Sequence, residues 1–224
     1  MTEKAEKKPS TAERARRGSV RVLSLRGILS EPLEVYSKLA AEFAYRIVLC
    51  PATRSIVSQP FTLKCTATKS KQPDFAVMTT LGKCVAIKLF HERVTPDATL
   101  SSSMSAELGE RNARLMMLTA LDIHRDATHD RASQILRYSK ASYSAADQAR
   151  TIEVVSNNPG IAMGDLTAEA RCRNELVFHL LSRRLLSVGR HLPIDVDAPV
   201  SLPETTEVND EESIAKWMDV ALWR

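Results

Sequence analysis

Apolar and polar residues alternate in two short runs on either side of Gly82, and this period of two predicts a β-hairpin. The first run covers residues 72–79 and the second covers residues 84–90. Successive side chains of a strand point to opposite faces of a sheet. We therefore expect Asp74 on the first strand and Lys88 on the second to reach one pocket.

A helical pattern precedes this hairpin. Apolar residues recur at helical spacing from Tyr36 to Ile47, and Pro51 ends the helix. Extended runs at residues 54–58 and 61–68 lie between the helix and the hairpin. One helix and about four strands in this order predict an α+β core.

Two further helices and a polar loop are predicted after the core. Apolar positions indicate helices at residues 107–121 and 132–138. The loop between them contains four residues of metal-binding types, His124, Asp126, His129 and Asp130. Their spacing matches no established ligand pattern, so a solvated loop is the favoured interpretation.

The C-terminal half has the element order of a winged helix-turn-helix. Residues 145–155 predict a helix that stops at the Asn-Asn-Pro-Gly turn of 157–160. Residues 161–166 predict a second helix, and apolar residues from Leu176 to Leu185 predict a third. Residues 185–194 indicate two β segments around a glycine turn.

Arginines surround the third helix and the predicted wing. They are Arg171, Arg173, Arg183, Arg184 and Arg190. On a winged helix, such side chains contact DNA bases and phosphates. A winged helix that serves as a protein–protein module is the alternative.

Composition and charge restrict the class of protein. The chain has 224 residues, 44% of them hydrophobic and 26% charged, which fits one large or two small globular domains. No apolar run has the length of a membrane span and no signal-peptide core is present, so a cytoplasmic protein without membrane association is expected. The four cysteines form no CxxC pair and predict reduced thiols rather than a zinc site or disulfides.

The two ends of the chain carry opposite charge. Residues 1–19 form a basic arm, which either contacts phosphates or serves as a solubilising tail. Residues 199–224 combine an acidic linker with an amphipathic helix that contains Trp217 and Trp223. These tryptophans can anchor the helix in a partner's groove, or the helix can fold onto the chain's own core.

Short motifs in a fixed order give the chain a resemblance to a known family. They are Ser37 to Phe43 on the helix, Pro51, Val57-Ser58-Gln59-Pro60-Phe61, Pro73-Asp74-Phe75, Gly82 and Ala86-Ile87-Lys88. In this order, from about Val20 to Pro199, the chain resembles the TnsA endonuclease subunit of heteromeric transposases. The resemblance implies a restriction-endonuclease-like PD-(D/E)xK domain at residues 20–123 and a winged-helix domain at 124–198.

The resemblance also implies an activity and its partners. Such subunits cleave double-stranded DNA at transposon ends beside an integrase-type transposase, and an ATPase regulates both. Mg²⁺ held by carboxylates activates the attacking water. Carried onto this sequence, Asp74 is the metal ligand, and Lys88 orients the water or neutralises charge.

Two positions depart from the family's pattern. Alanine occupies position 40, where the family has a glutamate on the helix, and position 86, where a metal-binding Glu or Gln belongs. One explanation is a subunit with impaired cleavage that binds DNA ends. Another is a rebuilt site in which Glu42 is a catalytic acid, together with Glu92 or a backbone carbonyl. A third is a DNA-binding regulator outside transposition that retains a decayed nuclease fold.

Overall fold

The computed structural model describes residues 20–25, 28–29, 31–64, 70–91, 98–203 and 210–223. The basic arm predicted at residues 1–19 lies outside these ranges. The strands are β1 (Arg21–Leu23), β2 (Leu33–Val35), β3 (Thr53–Ser58), β4 (Leu63–Lys64), β5 (Ser70–Lys71), β6 (Phe75–Thr79), β7 (Cys84–Phe90), β8 (Ala113–Thr119), β9 (Ile161–Ala162) and β10 (Pro199–Val200). The helices are α1 (Lys38–Ile47), α2 (Ala98–Gly109), α3 (Ala120–His124), α4 (Thr128–Leu136), α5 (Ala145–Asn157), α6 (Met163–Glu169), α7 (Asn174–Ser182) and α8 (Asp210–Met218), with a 3₁₀ turn at Arg125–Ala127.

A mixed four-stranded sheet forms the core of the N-terminal half. Strands β3, β6 and β7 pair antiparallel in that order, and β8 pairs parallel to β7 after a crossover through α2. The predicted hairpin is confirmed as β6–β7. Its turn contains Gly82 at φ 78°, a conformation that glycine adopts without steric cost. The predicted α+β class is therefore confirmed.

The helix predicted at residues 107–121 is wrong, because β8 occupies most of that range. The apolar run Leu115 to Leu118 is continuous, and such a run does not distinguish a buried strand from a buried helix. In the fold, Leu115 and Met117 face one apolar cluster while Met116 and Leu118 face another. Both faces of β8 are covered, as expected for a parallel strand.

The C-terminal half contains three helices followed by a small antiparallel ladder. Helices α5, α6 and α7 fall at the predicted places, but the two β segments predicted within 185–194 are wrong. Ser187 instead pairs with Ser201, and β10 pairs with β9. Leu192 has φ 48° and Pro193 lacks an N–H, so the chain cannot form a regular strand there.

The C-terminal helix α8 packs on the chain's own core. Trp217 is only 8% exposed, and its indole Nε1 donates a 3.1 Å hydrogen bond to the carbonyl oxygen of Arg46. The backbone N–H of Trp223 donates to the Leu115 carbonyl at 2.9 Å. These contacts favour the alternative in which the helix folds onto the chain's own core: Trp217 is engaged through its side chain and Trp223 through its backbone.

One apolar cluster joins the two halves of the molecule and extends from Leu23 to Met218. The predicted boundary between residues 123 and 124 lies within α3. Among the described residues, no helix combines the length and apolar character that crossing a bilayer requires.

Candidate functional site

Asp74 and Lys88 meet where β6 begins and β7 nears its end. Asp74 directly precedes β6, and its N–H donates to the Ile87 carbonyl at 2.8 Å, which extends the pairing of the two strands. Lys88 Nζ lies 3.0 Å from Asp74 Oδ2. The strand register thus brings together two residues that are separated by a full hairpin in sequence.

The ion pair has further partners in the backbone. Asp74 Oδ2 also accepts a 2.8 Å hydrogen bond from the N–H of Leu89, and Lys88 Nζ donates to the Gln72 carbonyl at 3.1 Å. The side chains are 35% and 21% exposed, so solvent reaches both. Asp74 Oδ2 is therefore already neutralised by Lys88 and hydrogen-bonded by the Leu89 N–H.

The Gln59-Pro60 motif supports the start of β6. The Gln59 N–H donates to the Asp74 carbonyl at 2.9 Å, and the Gln72 side-chain amide donates to the Gln59 carbonyl at 3.1 Å. Gln59 has φ 47°, which turns the chain at the end of β3. These bonds fix the backbone on both sides of Pro73, and with it the position of the Asp74 carboxylate.

Ala86 lies on the same strand as Lys88, two residues before it, and is fully buried. It belongs to the apolar cluster that includes Met104 and Leu108 of α2. Ala40 on α1 is also buried, at 7% exposure. Neither alanine offers an oxygen, so Asp74 is left as the single carboxylate of the predicted set at this place. These residues do not fit the Mg²⁺ that the resemblance implies, since that ion takes oxygen ligands.

Glu42, predicted as a catalytic acid, lies elsewhere. Its Oε2 is 2.8 Å from His124 Nε2, and its Oε1 is 4.0 Å from His129 Nε2. Helix α1 covers one face of the sheet, where the ring of Phe43 stacks on Phe75 at 5.1 Å. Lys88 shares the opposite face with Ala86 because strand side chains alternate. The assignment of Glu42 to the Asp74 site is therefore corrected.

The two histidines next to Glu42 were not recognised as its partners from the sequence. They belong to the loop that was interpreted as solvated, and Glu42 is 82 positions away from His124. Their separation by five residues gave no metal-ligand pattern. No local signal connected that loop with α1.

Three of the predicted DNA-binding arginines are free to contact a ligand. Arg171 and Arg173 directly precede α7, and Arg183 directly follows it; all three are exposed. In the described part of the chain their guanidinium groups have no hydrogen-bond or ion-pair partner. Helix α7 itself is buried from Leu176 to Ser182, so only its N-terminal end is accessible.

The other two predicted arginines have partners within the chain. Arg184 donates to the carbonyl oxygens of Ile28 and Cys50 at 3.5 Å each, and also to that of Thr53. Burial lowers the pKa of the Arg184 guanidinium. This side chain connects the end of α7 to the N-terminal half.

Arg190 is held by the C-terminal segment. Its Nη1 lies 3.0 Å from Asp219 Oδ1 and donates to the Lys216 carbonyl at 3.2 Å. Arg190 and Arg125 together hold the pKa of the Asp219 carboxyl below its usual range. The charge of Arg190 is therefore offset within the protein.

A search against protein-family models gives no match for this sequence, and a search of curated proteins gives none either.

Proposed function

We propose that this protein is a TnsA-like, DNA-binding subunit of a heteromeric transposase whose nuclease-type site does not cut DNA. The observation that carries the proposal is the 3.0 Å contact between Asp74 and Lys88 on paired strands, with buried Ala86 beside them. The Pro-Asp and lysine motifs stand where the resemblance places a metal ligand and a charged partner. The acid that belongs between them is missing.

The charge of the site explains the loss of cleavage. With alanine at positions 40 and 86, Asp74 and Lys88 leave no net negative charge to attract a divalent cation. A cation at Asp74 Oδ2 would also have to displace or share the contacts from Lys88 and the Leu89 N–H. Mg²⁺ gives up its water ligands reluctantly, so one neutralised carboxylate is a poor site. No step of the proposed function uses this metal.

DNA binding rests on the exposed arginines at the start of α7. Arg171 and Arg173 stand where the unpaired N–H groups and the positive end of the helix dipole also favour a phosphate. Guanidinium groups form paired hydrogen bonds with phosphate oxygens. The order α5, α6, α7 and the ladder of β9, β10 and Ser187 support a winged helix-turn-helix, in which the N-terminal end of the third helix contacts DNA.

The role that follows is one of binding and assembly. The subunit binds double-stranded DNA at transposon ends and carries it to an integrase-type transposase that performs the chemistry, under control of the ATPase. In this role, alanine at positions 40 and 86 reduces the repulsion between carboxylates and DNA phosphates.

Salt-dependent binding to a labelled DNA duplex tests this proposal. Each phosphate contact contributes about 0.9 to the slope of log affinity against log salt concentration. The double variant Arg171→Ala/Arg173→Ala should therefore lower the slope by roughly 2. The matched control Arg54→Ala/Arg137→Ala removes the same charge from two other exposed positions and should leave the slope nearly unchanged.

Three results would contradict the proposal. If the salt dependence of binding had the same slope for the double variant and its control, the N-terminal end of α7 would not be the DNA contact. Cleavage of the duplex by the purified wild type in Mg²⁺ or Mn²⁺, abolished by Asp74→Asn, would show a working nuclease site. Binding to DNA without binding to a purified integrase-type transposase would favour a regulator outside transposition.

A further inference from the structure

Three potential metal ligands from three helices converge on one side of α1. They are Glu42 on α1, His124 at the end of α3 and His129 in the first turn of α4. One ligand atom from each lies within 4.8 Å of the others. This cluster is separate from the Asp74–Lys88 contact, because α1 covers the opposite face of the sheet from Lys88.

Local sequence fixes the positions of the two histidines. A capping box of Thr119 and Asp122 starts α3, so that His124 falls at its last residue. Asp126 and Ala127 then adopt left-handed conformations, with φ 54° and 51°. Residues with a Cβ rarely adopt such angles, and strained backbone of this kind concentrates at functional sites. The turn places the rings of His124 and His129 with centroids 4.7 Å apart.

The Glu42 carboxylate has little positive charge near it to balance its own. Glu42 is 8% exposed, and a buried carboxylate requires a charged or hydrogen-bonding partner. Lys38 Nζ lies 3.4 Å from Oε1, but that lysine side chain is 84% exposed and solvent weakens the attraction. The other ring nitrogen that faces this carboxylate, His129 Nε2, also lies 3.3 Å from Asp130 Oδ1, so a second carboxylate adds to the negative charge beside the cluster.

We propose that Glu42, His124 and His129 bind a divalent transition metal of the Zn²⁺ class. Two imidazoles and one carboxylate are ligands that Zn²⁺ accepts, whereas Mg²⁺ requires oxygen ligands in octahedral geometry. Metal–ligand distances of about 2.0–2.2 Å in a tetrahedron separate the ligand atoms by about 3.3 Å. The present separations are 2.8 Å from His124 Nε2 to Glu42 Oε2 and 4.0 Å from His129 Nε2 to Glu42 Oε1, with all three ligand atoms within 4.8 Å of one another, so small side-chain shifts would bring them to that spacing.

The fourth coordination position faces solvent. The His124 side chain is 46% exposed and the His129 side chain is 17% exposed, so water can complete the tetrahedron from the His124 side. The metal connects α1, which covers the sheet, to α3 and α4. This inference does not depend on DNA binding or on transposition.

Calorimetric titration of the full chain with Zn²⁺ tests the site. We expect one equivalent of Zn²⁺ to bind the wild type, and Mg²⁺ in the same range to produce no binding heat. His124→Ala, His129→Ala and Glu42→Gln should each weaken Zn²⁺ binding more than about tenfold, the lower end of the loss seen when only a supporting residue is removed. Circular dichroism of each variant verifies that it is folded.

Two further variants make the test specific. His91→Ala removes an exposed histidine outside the cluster and should bind Zn²⁺ like the wild type. Lys38→Ala removes a cation that competes for Glu42 and should bind Zn²⁺ more tightly. Because metal that binds only the folded state stabilises it, Zn²⁺ should also raise the melting temperature of the wild type but not of His129→Ala. Equal Zn²⁺ affinity of Glu42→Gln and wild type, or equal losses in His91→Ala and His124→Ala, would overturn the proposal.

Discussion

Replacing Trp217 by alanine tests how α8 contributes to stability. Its side chain is almost fully buried against the core, and truncation of a buried tryptophan costs about 3–5 kcal/mol. Loss of the indole hydrogen bond to the Arg46 carbonyl adds about 1 kcal/mol. The Arg46 guanidinium donates to the Trp217 carbonyl at 3.1 Å, so movement of α8 also disturbs a buried charge.

The expected loss is about 4–6 kcal/mol, a large part of the 5–15 kcal/mol by which a typical domain is stable. For a chain of this size it corresponds to a fall of roughly 8–24 °C in melting temperature. Urea unfolding followed by circular dichroism measures the change without relying on tryptophan fluorescence. Trp217→Phe, which keeps most of the apolar contact and loses the hydrogen bond, should cost about 1–2 kcal/mol.

A matched surface variant completes this experiment. Leu121 is 52% exposed, and Leu121→Ala should change the free energy of unfolding by no more than about 0.5 kcal/mol. If Trp217→Ala also stayed within 1 kcal/mol of the wild type, α8 would not be docked as described. Trp217 would then be available to a partner protein.

Two other predictions concern buried polar groups. Arg184→Met removes the guanidinium donor that three backbone carbonyls share, although the Cys50 carbonyl keeps the N–H of Thr53. It should cost about 2–4 kcal/mol in urea unfolding, whereas exposed Arg183→Ala should cost about 0.5 kcal/mol or less. Similar values for the two would refute the structural role of Arg184. Burial raises the pKa of the Cys50 thiol to about 11, so the folded chain keeps a proton that the unfolded chain releases from about pH 9. The contribution of this thiol to the free energy of unfolding is complete below pH 9 and is lost as the pH rises through 11. The loss amounts to about 2–3 kcal/mol. The urea midpoint of the wild type should therefore fall more between pH 9 and pH 11 than that of Cys50→Ala. A wild-type decline identical to that of Cys50→Ala would contradict the assignment.

The sequence predicts best those features that depend on residues close to one another in the chain. The β6–β7 hairpin follows from alternation and one glycine turn, and the meeting of Asp74 with Lys88 follows from the strand period. Strand β8 was missed because its apolar run is continuous, which is what burial on both faces requires.

The remaining errors concern contacts that only the tertiary fold creates. Arg184 belongs to a basic sequence that is typical of a DNA-binding surface, yet packing turns its guanidinium toward backbone carbonyls of the other half. The cluster of Glu42 with His124 and His129 requires α1 to pack beside the α3–α4 turn. No spacing rule along the chain contains that information.

The backbone bond between Trp223 and Leu115 has a consequence for solubility. Strand β8 is the last strand of its sheet, and among the described residues its outer edge pairs with the C-terminal segment through the bridge of Leu115 with Trp223. An open edge beside an apolar run is a template on which another chain can add a strand. Truncation before Trp223 would therefore favour association between copies of the protein even where the fold survives. In the described part of the chain, the C-terminal segment occupies this edge at Leu115 and leaves less of it open to another strand.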